Sequence, residues 1–160
     1  MTSEKTFCKI MKYRILCVGK IKDSYYRDEI SAIQNRIKKK QSSLEILEFP
    51  DEKIPEHLSD KQKKQILEKE GKRFLSRITN RDYVIALCIE GKEMTTNQHR
   101  EVLKRAAEDG CESITYLIGG SLGLMDELKE RANLKLSFSK MTFPHQLMRM
   151  VLCEEICNHL

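Results

Sequence analysis

Short apolar runs alternate with stretches of three- and four-residue apolar spacing from residue 11 to the end of the chain. Residues 13–18 (YRILCV), 44–49 (LEILEF), 83–89 (YVIALCI), 113–118 (SITYLI) and 134–138 (LKLSF) read as strands. A helix over 22–40 places Tyr26, Ile30, Ile33 and Ile37 on one face. A second, ending near Arg77, is expected to bury Ile66, Leu67, Phe74, Leu75 and Ile78 and to expose its charged remainder. A third carries Val102, Leu103, Ala106 and Ala107. Ser59 with Gln62, and Thr95 with Gln98, match the capping box that opens a helix. Glu90-Gly91-Lys92 is expected to end the third strand, and Gly110 suits a helix C-terminal cap. A helix near 125–131 and a final one from His145 complete five βα repeats. Such alternation predicts an α/β fold, a mostly parallel sheet flanked by helices on both faces.

Composition adds little to this picture. The 160 residues are 40% hydrophobic and 33% charged, and no linker divides them, so one domain is expected. No apolar run approaches the roughly 20 residues of a membrane span. Residues 1–10 hold no apolar core of the signal-peptide type. They read as an extension ahead of a domain running from Met11 to residue 160. The net charge of +5 tilts towards an anionic partner without establishing one. Lys38-Lys39-Lys40 and Lys61-Gln62-Lys63-Lys64 read first as solvated helix faces. The six cysteines, Cys8, Cys17, Cys88, Cys111, Cys153 and Cys157, contain no Cys-x-x-Cys and read as reduced cytosolic thiols. Cys153 and Cys157 share a helix face near His159, but a metal site is not expected there.

The chemistry concentrates in two loops that follow consecutive strands. Gly119 and Gly120 remove side chains directly after a strand, so backbone amides can approach a ligand closely. The spacing Gly-Gly-x-x-Gly is neither the dinucleotide Gly-x-Gly-x-x-Gly nor a P-loop, and a plain tight turn is an equal reading. The second loop, residues 138–143 (FSKMTF), mixes apolar faces with hydroxyls as an adenosine pocket does, although Phe138 also suits a core position. Pro144 starts the last helix. His145, at that start, is a candidate neutral acceptor or a structural residue. Arg149, one turn on, is an anion-facing candidate or a surface residue.

Taken together, residues 15–20 (ILCVGK), Pro50-Asp51-Glu52-Lys53, Glu68-Lys69-Glu70-Gly71, and residues 87–92, 118–123 and 136–149 (LSFSKMTFPHQLMR) resemble the ribosomal RNA large-subunit methyltransferase H family. That family belongs to the SPOUT, or α/β-knot, methyltransferases. The resemblance runs from Met11 to about Glu155. It implies a C-terminal trefoil knot that cradles S-adenosylmethionine, a cytoplasmic homodimer, and methylation of N3 of a pseudouridine in 23S ribosomal RNA. The implied partner is that RNA, in the large subunit or the assembled ribosome, with no membrane and no metal involved. Cofactor positions carried over are Leu87, Gly119, Phe138, Ser139, Lys140, Met141, Thr142 and Phe143. His145 is expected to act as base or orienting group and Arg149 to stabilise an anion. One departure stands out. Cys157 occupies the place of a family tyrosine, and the sequence stops at Leu160 without the family's Tyr-His-basic tail. The alternative expectation is therefore a truncated, poorly active cofactor- or RNA-binding remnant.

Overall fold

The computed structural model describes residues 11–160; the expected extension at 1–10, with Cys8, lies outside the described residues. Ten elements follow one another as β1 (Lys12–Val18), α1 (Ser24–Lys39), β2 (Ser43–Phe49), α2 (Asp60–Leu75), β3 (Asp82–Glu93), α3 (Thr96–Glu108), β4 (Ser113–Ile118), α4 (Asp126–Arg131), β5 (Leu134–Ser137) and α5 (His145–Asn158). The strands form one sheet in the order β2-β1-β4-β3-β5. Each of the four strand pairings is parallel. All five carboxyl ends therefore point the same way, where a parallel sheet places its ligand crevice.

Side-chain alternation along each strand divides the core in two. Ile15 and Cys17 of β1, Ile85 of β3, and Ile114, Tyr116 and Ile118 of β4 face the layer holding Ile30, Ile33, Ile37, Leu103, Leu152 and Ile156. Leu16, Val18, Val84, Ala86 and Leu117 face the other way, onto Phe74, Leu124, Met125 and Leu128. Helices α1, α3 and α5 thus cover one face, and α2 and α4 the other. Burial on both faces explains why the central strands read as continuous apolar runs.

Both capping boxes form: Ser59 accepts from the Gln62 amide and Thr95 from the Gln98 amide, each reciprocated by the glutamine side chain. Gly110 follows the α3 cap with φ +91°, a left-handed conformation that favours glycine. Two expectations need correction. β3 does not end at Glu90-Gly91-Lys92 but runs on to Glu93, resuming its pairing with β5 at Lys92 after a register shift. A Cβ on Gly91 would stand 2.7 Å from the Leu136 carbonyl carbon, so the glycine permits a close backbone approach that a local reading takes for a stop. In α2, which ends at Leu75, Phe74 is fully buried, Ile66, Leu67 and Leu75 are only half-buried, as is Ile78 beyond the helix, and the charged Glu70 is buried instead.

Candidate active site

Two cavities adjoin at the carboxyl ends of the strands, sharing Gly120, Ser121 and His145. The first, about 380 Å³, lies between the two loops singled out by sequence. Leu87, Gly119, Phe138, Ser139, Met141, Thr142 and Phe143 all line it; Lys140 does not. Its floor is apolar, from Leu87, Leu136 and Met148, and hydroxyls of Ser137, Ser139 and Thr142 edge it. That composition suits a nucleoside with a polar appendage.

Each loop is held by its own short-range bonds. The Gly123 amide donates to the Gly120 carbonyl at 3.0 Å, closing a tight turn with Gly123 at φ +85°. A Cβ on Gly119 would stand 2.5 Å from the Gly123 carbonyl carbon and 3.0 Å from the Leu124 nitrogen. The glycine at 119 is thus a packing requirement of the turn itself. In the second loop Ser137 donates its hydroxyl to the Ser139 carbonyl at 3.0 Å, and the Met141 amide donates to the Ser139 hydroxyl at 3.0 Å. Met141 and Phe143 are left 74% and 37% exposed at the rim.

The second cavity, about 470 Å³, is polar and is lined by Lys20, Lys22, Asp51, Glu52, Glu70, His145 and Arg149 among others. Arg149 corrects an expectation. It is neither a surface residue nor a free cation, being only 2% exposed. Its guanidinium donates to Glu48 Oε2 at 3.1 Å and to the Val18 carbonyl at 2.6 Å. Glu48 Oε2 also accepts from the Ile21 amide at 2.8 Å. One arginine thereby ties α5 to the ends of β1 and β2. Its Nε, buried, has no partner among the described residues. His145, by contrast, is exposed between the two cavities.

Glu70, named from sequence only within the family resemblance, also lines this cavity. It is 8% exposed, and its Oε2 has no hydrogen-bond partner among the described residues. Burial, then the carboxylates of Asp51 and Glu52, raise its pKa above the ordinary 4.5. Because the folded-state pKa is raised, the associated stability is complete below the unfolded value near 4.5 and is lost as pH rises through the folded value. Glu70→Gln should therefore raise the melting temperature at neutral pH, and that gain should shrink as the pH is taken below 4.5. Melting curves at the two pH values check this; an equal gain at both would contradict it. Cys17 and Cys153 are pushed up to about 12 by burial, which keeps both thiols protonated and unreactive, as expected of core cysteines.

Comparison with known proteins agrees with this geometry. The family profile described as "Predicted SPOUT methyltransferase" matches residues 11–158. The chain is 47% identical over 146 residues to ribosomal RNA large subunit methyltransferase H of Streptococcus uberis, covering 91% of each chain. It is 44% identical over 146 residues to ribosomal RNA large subunit methyltransferase H 1 of Thermoanaerobacter pseudethanolicus, covering 91% of this chain and 94% of that one. A solved structure of a protein named as a methylase-family member from Neisseria gonorrhoeae shares the fold, with a TM-score of 0.51 at 13% identity, over 93% of this chain and 82% of that one. Spanning nearly the whole described domain, these matches place the chain in the SPOUT methyltransferase family.

Proposed function

We propose that this methyltransferase uses S-adenosylmethionine to methylate N3 of a pseudouridine in large-subunit ribosomal RNA, acting in the cytoplasm as a homodimer. The observation that carries the reading is the convergence of residues 118–124 and 136–143 on one cavity, in a chain whose curated relatives are named for ribosomal RNA methylation. The cavity suits the cofactor: it offers apolar walls for an adenine, hydroxyls at its edge, and the tight turn from Gly119 to Gly123 as one wall.

The cofactor supplies an electrophilic methyl group when bound. The chain's own residues do the rest. Leu87, Gly119 and the loop from Phe138 to Phe143 form the walls that fix the donor's position. Lys140 is exposed and does not line the cavity, and its role in this reading is to meet RNA phosphate. His145 stands where the donor cavity meets the polar one, placed to accept the imide proton or orient the base. Glu70 Oε2 is a second unpartnered acceptor in that polar wall. Arg149 contributes positive charge behind His145; bonded to Glu48 and Val18, it acts chiefly as a positioning residue. Alignment of acceptor nitrogen, methyl and leaving sulfur then supplies the remainder of the rate.

The expected C-terminal knot fits the packing of α5, which leaves the β5 edge and returns to cover α1 through Leu152 and Ile156. A dimer would cover the exposed Ile89, Met141 and Phe143 at the cavity rim. The test is transfer of labelled methyl from S-adenosylmethionine to ribosomes lacking the modification. Incorporation at a pseudouridine is the expected result. Cofactor binding without transfer would instead support a poorly active cofactor- or RNA-binding remnant.

A further inference from the structure

The last turn of α5 carries a second constellation, at the end of the helix away from His145, that methyl transfer does not use. Glu155 stands in the last turn of α5 and His159 caps that helix four residues on, and His99 faces them from the first turns of α3. His159 Nε2 lies 2.9 Å from His99 Nδ1. Glu155 Oε1 lies 3.3 Å from His159 Nε2 and 3.4 Å from His99 Nδ1. The two histidine side chains are 3% and 2% exposed, and the carboxylate is 15% exposed. Three lone-pair-bearing atoms thus converge in a small triangle within the fold.

Protons alone leave this triangle unsatisfied. With one proton between the rings, the nitrogen that carries it donates to the other across 2.9 Å, and Glu155 Oε1 is left without a donor of its own. If both carry protons, two N–H groups oppose each other across 2.9 Å. A cation accepts all three lone pairs at once.

The dimensions suit one. Imidazole nitrogens and carboxylate oxygens bind zinc at about 2.0–2.2 Å, so tetrahedral neighbours stand about 3.3–3.5 Å apart. Two edges already have that length, and the third needs to open by a few tenths of an ångström. For two of the three ligands the outer contacts are also those of a ligating set, while His159 Nδ1 has no partner among the described residues. The Tyr116 hydroxyl, 2.9 Å from His99 Nε2, fixes that ring with Nδ1 turned inward. The Thr96 hydroxyl donates to Glu155 Oε2 at 3.2 Å and leaves Oε1 for an ion.

We propose that His99, Glu155 and His159 bind one zinc-class divalent ion, which staples the last turn of α5 to α3. Two imidazoles with one carboxylate select such an ion over calcium or magnesium. Cys153 and Cys157 are not part of the site: the convergence links α5 to α3, and the cysteines lie in the core beneath.

The test uses the full chain, stripped with chelator and kept reduced, titrated with Zn(II) by calorimetry and with Co(II) by visible absorption. One ion per chain is expected, with cobalt d–d bands, no thiolate charge-transfer band, and a rise in melting temperature on adding Zn(II). His159→Gln should weaken Zn(II) binding by about a hundredfold. Tyr116→Phe should weaken it by about 10–100-fold through loss of ring orientation. Absence of stoichiometric binding, binding unchanged in His159→Gln, or a thiolate charge-transfer band would each overturn the proposal.

Discussion

Gly119→Val should abolish S-adenosylmethionine binding while leaving the sheet assembled. A Cβ at 119 already meets the Gly123 carbonyl carbon at 2.5 Å, and valine adds two methyl groups to that collision. Backbone cannot yield there as a side-chain tip would, so the turn from Gly120 to Gly123 must open. Opening it moves the cavity wall opposite Phe138 and Phe143. The buried part of β4 lies upstream, from Ser113 to Ile118, and its strand pairings survive the change. The expected calorimetric result is a loss of affinity of more than about a hundredfold, equivalent to about 2.7 kcal/mol or more, with an unchanged far-ultraviolet spectrum. Gly123→Ala is the informative companion. Nothing stands within 4 Å of a Cβ there, and its cost is confined to the positive φ of 85°, of order 1–2 kcal/mol. It should weaken binding much less. Unchanged affinity in Gly119→Val would place the cofactor elsewhere.

Arg149→Ala should be the most destabilising single substitution in the site. The guanidinium is buried and bonds both Glu48 and the Val18 carbonyl. Removing one partner of such a pair costs about 3–5 kcal/mol, because the remaining groups are left without compensation. Glu48 is 34% exposed and can recover some solvation, which puts the expected loss towards the lower end of that range. Arg149→Met, which keeps the aliphatic stem, should lose less through packing. Urea denaturation with a linear extrapolation measures both. A loss below about 1 kcal/mol in the alanine variant, the level of a surface ion pair, would show that the latch between α5, β1 and β2 does not hold the site together.

Much of this architecture was legible because it is written locally. Each central strand is buried on both faces, so residues 83–89 and 113–118 announce themselves as apolar runs, and both capping boxes formed where serine and threonine stood three residues before glutamine. The glycine loop and the segment after β5 were legible as loops following strands; only folding shows that they share one cavity. What escaped depends on long-range geometry. Gly91 reads as a terminator, yet it is the point where β5 comes close enough to exclude a side chain. Glu70 sits in a helix so rich in charge that one buried carboxylate leaves no mark on the pattern. Arg149 finds its carboxylate partner 101 positions away, and His99 finds His159 60 positions away; neither pairing follows from spacing along a helix. The arginine's i+4 relation to His145 left a surface position open, and the fold instead buries it against β1 and β2 in the wall of the polar cavity.

Residues 118–124 and 136–143 line one cavity, and the proposed cofactor would lie between them. Hydrogen–deuterium exchange, followed by mass spectrometry with and without S-adenosylhomocysteine, reads those backbones directly. Ligand should slow exchange in both segments together, with little change in the exposed face of α2. Protection of one loop without the other, or protection confined to a different part of the sheet, would contradict it.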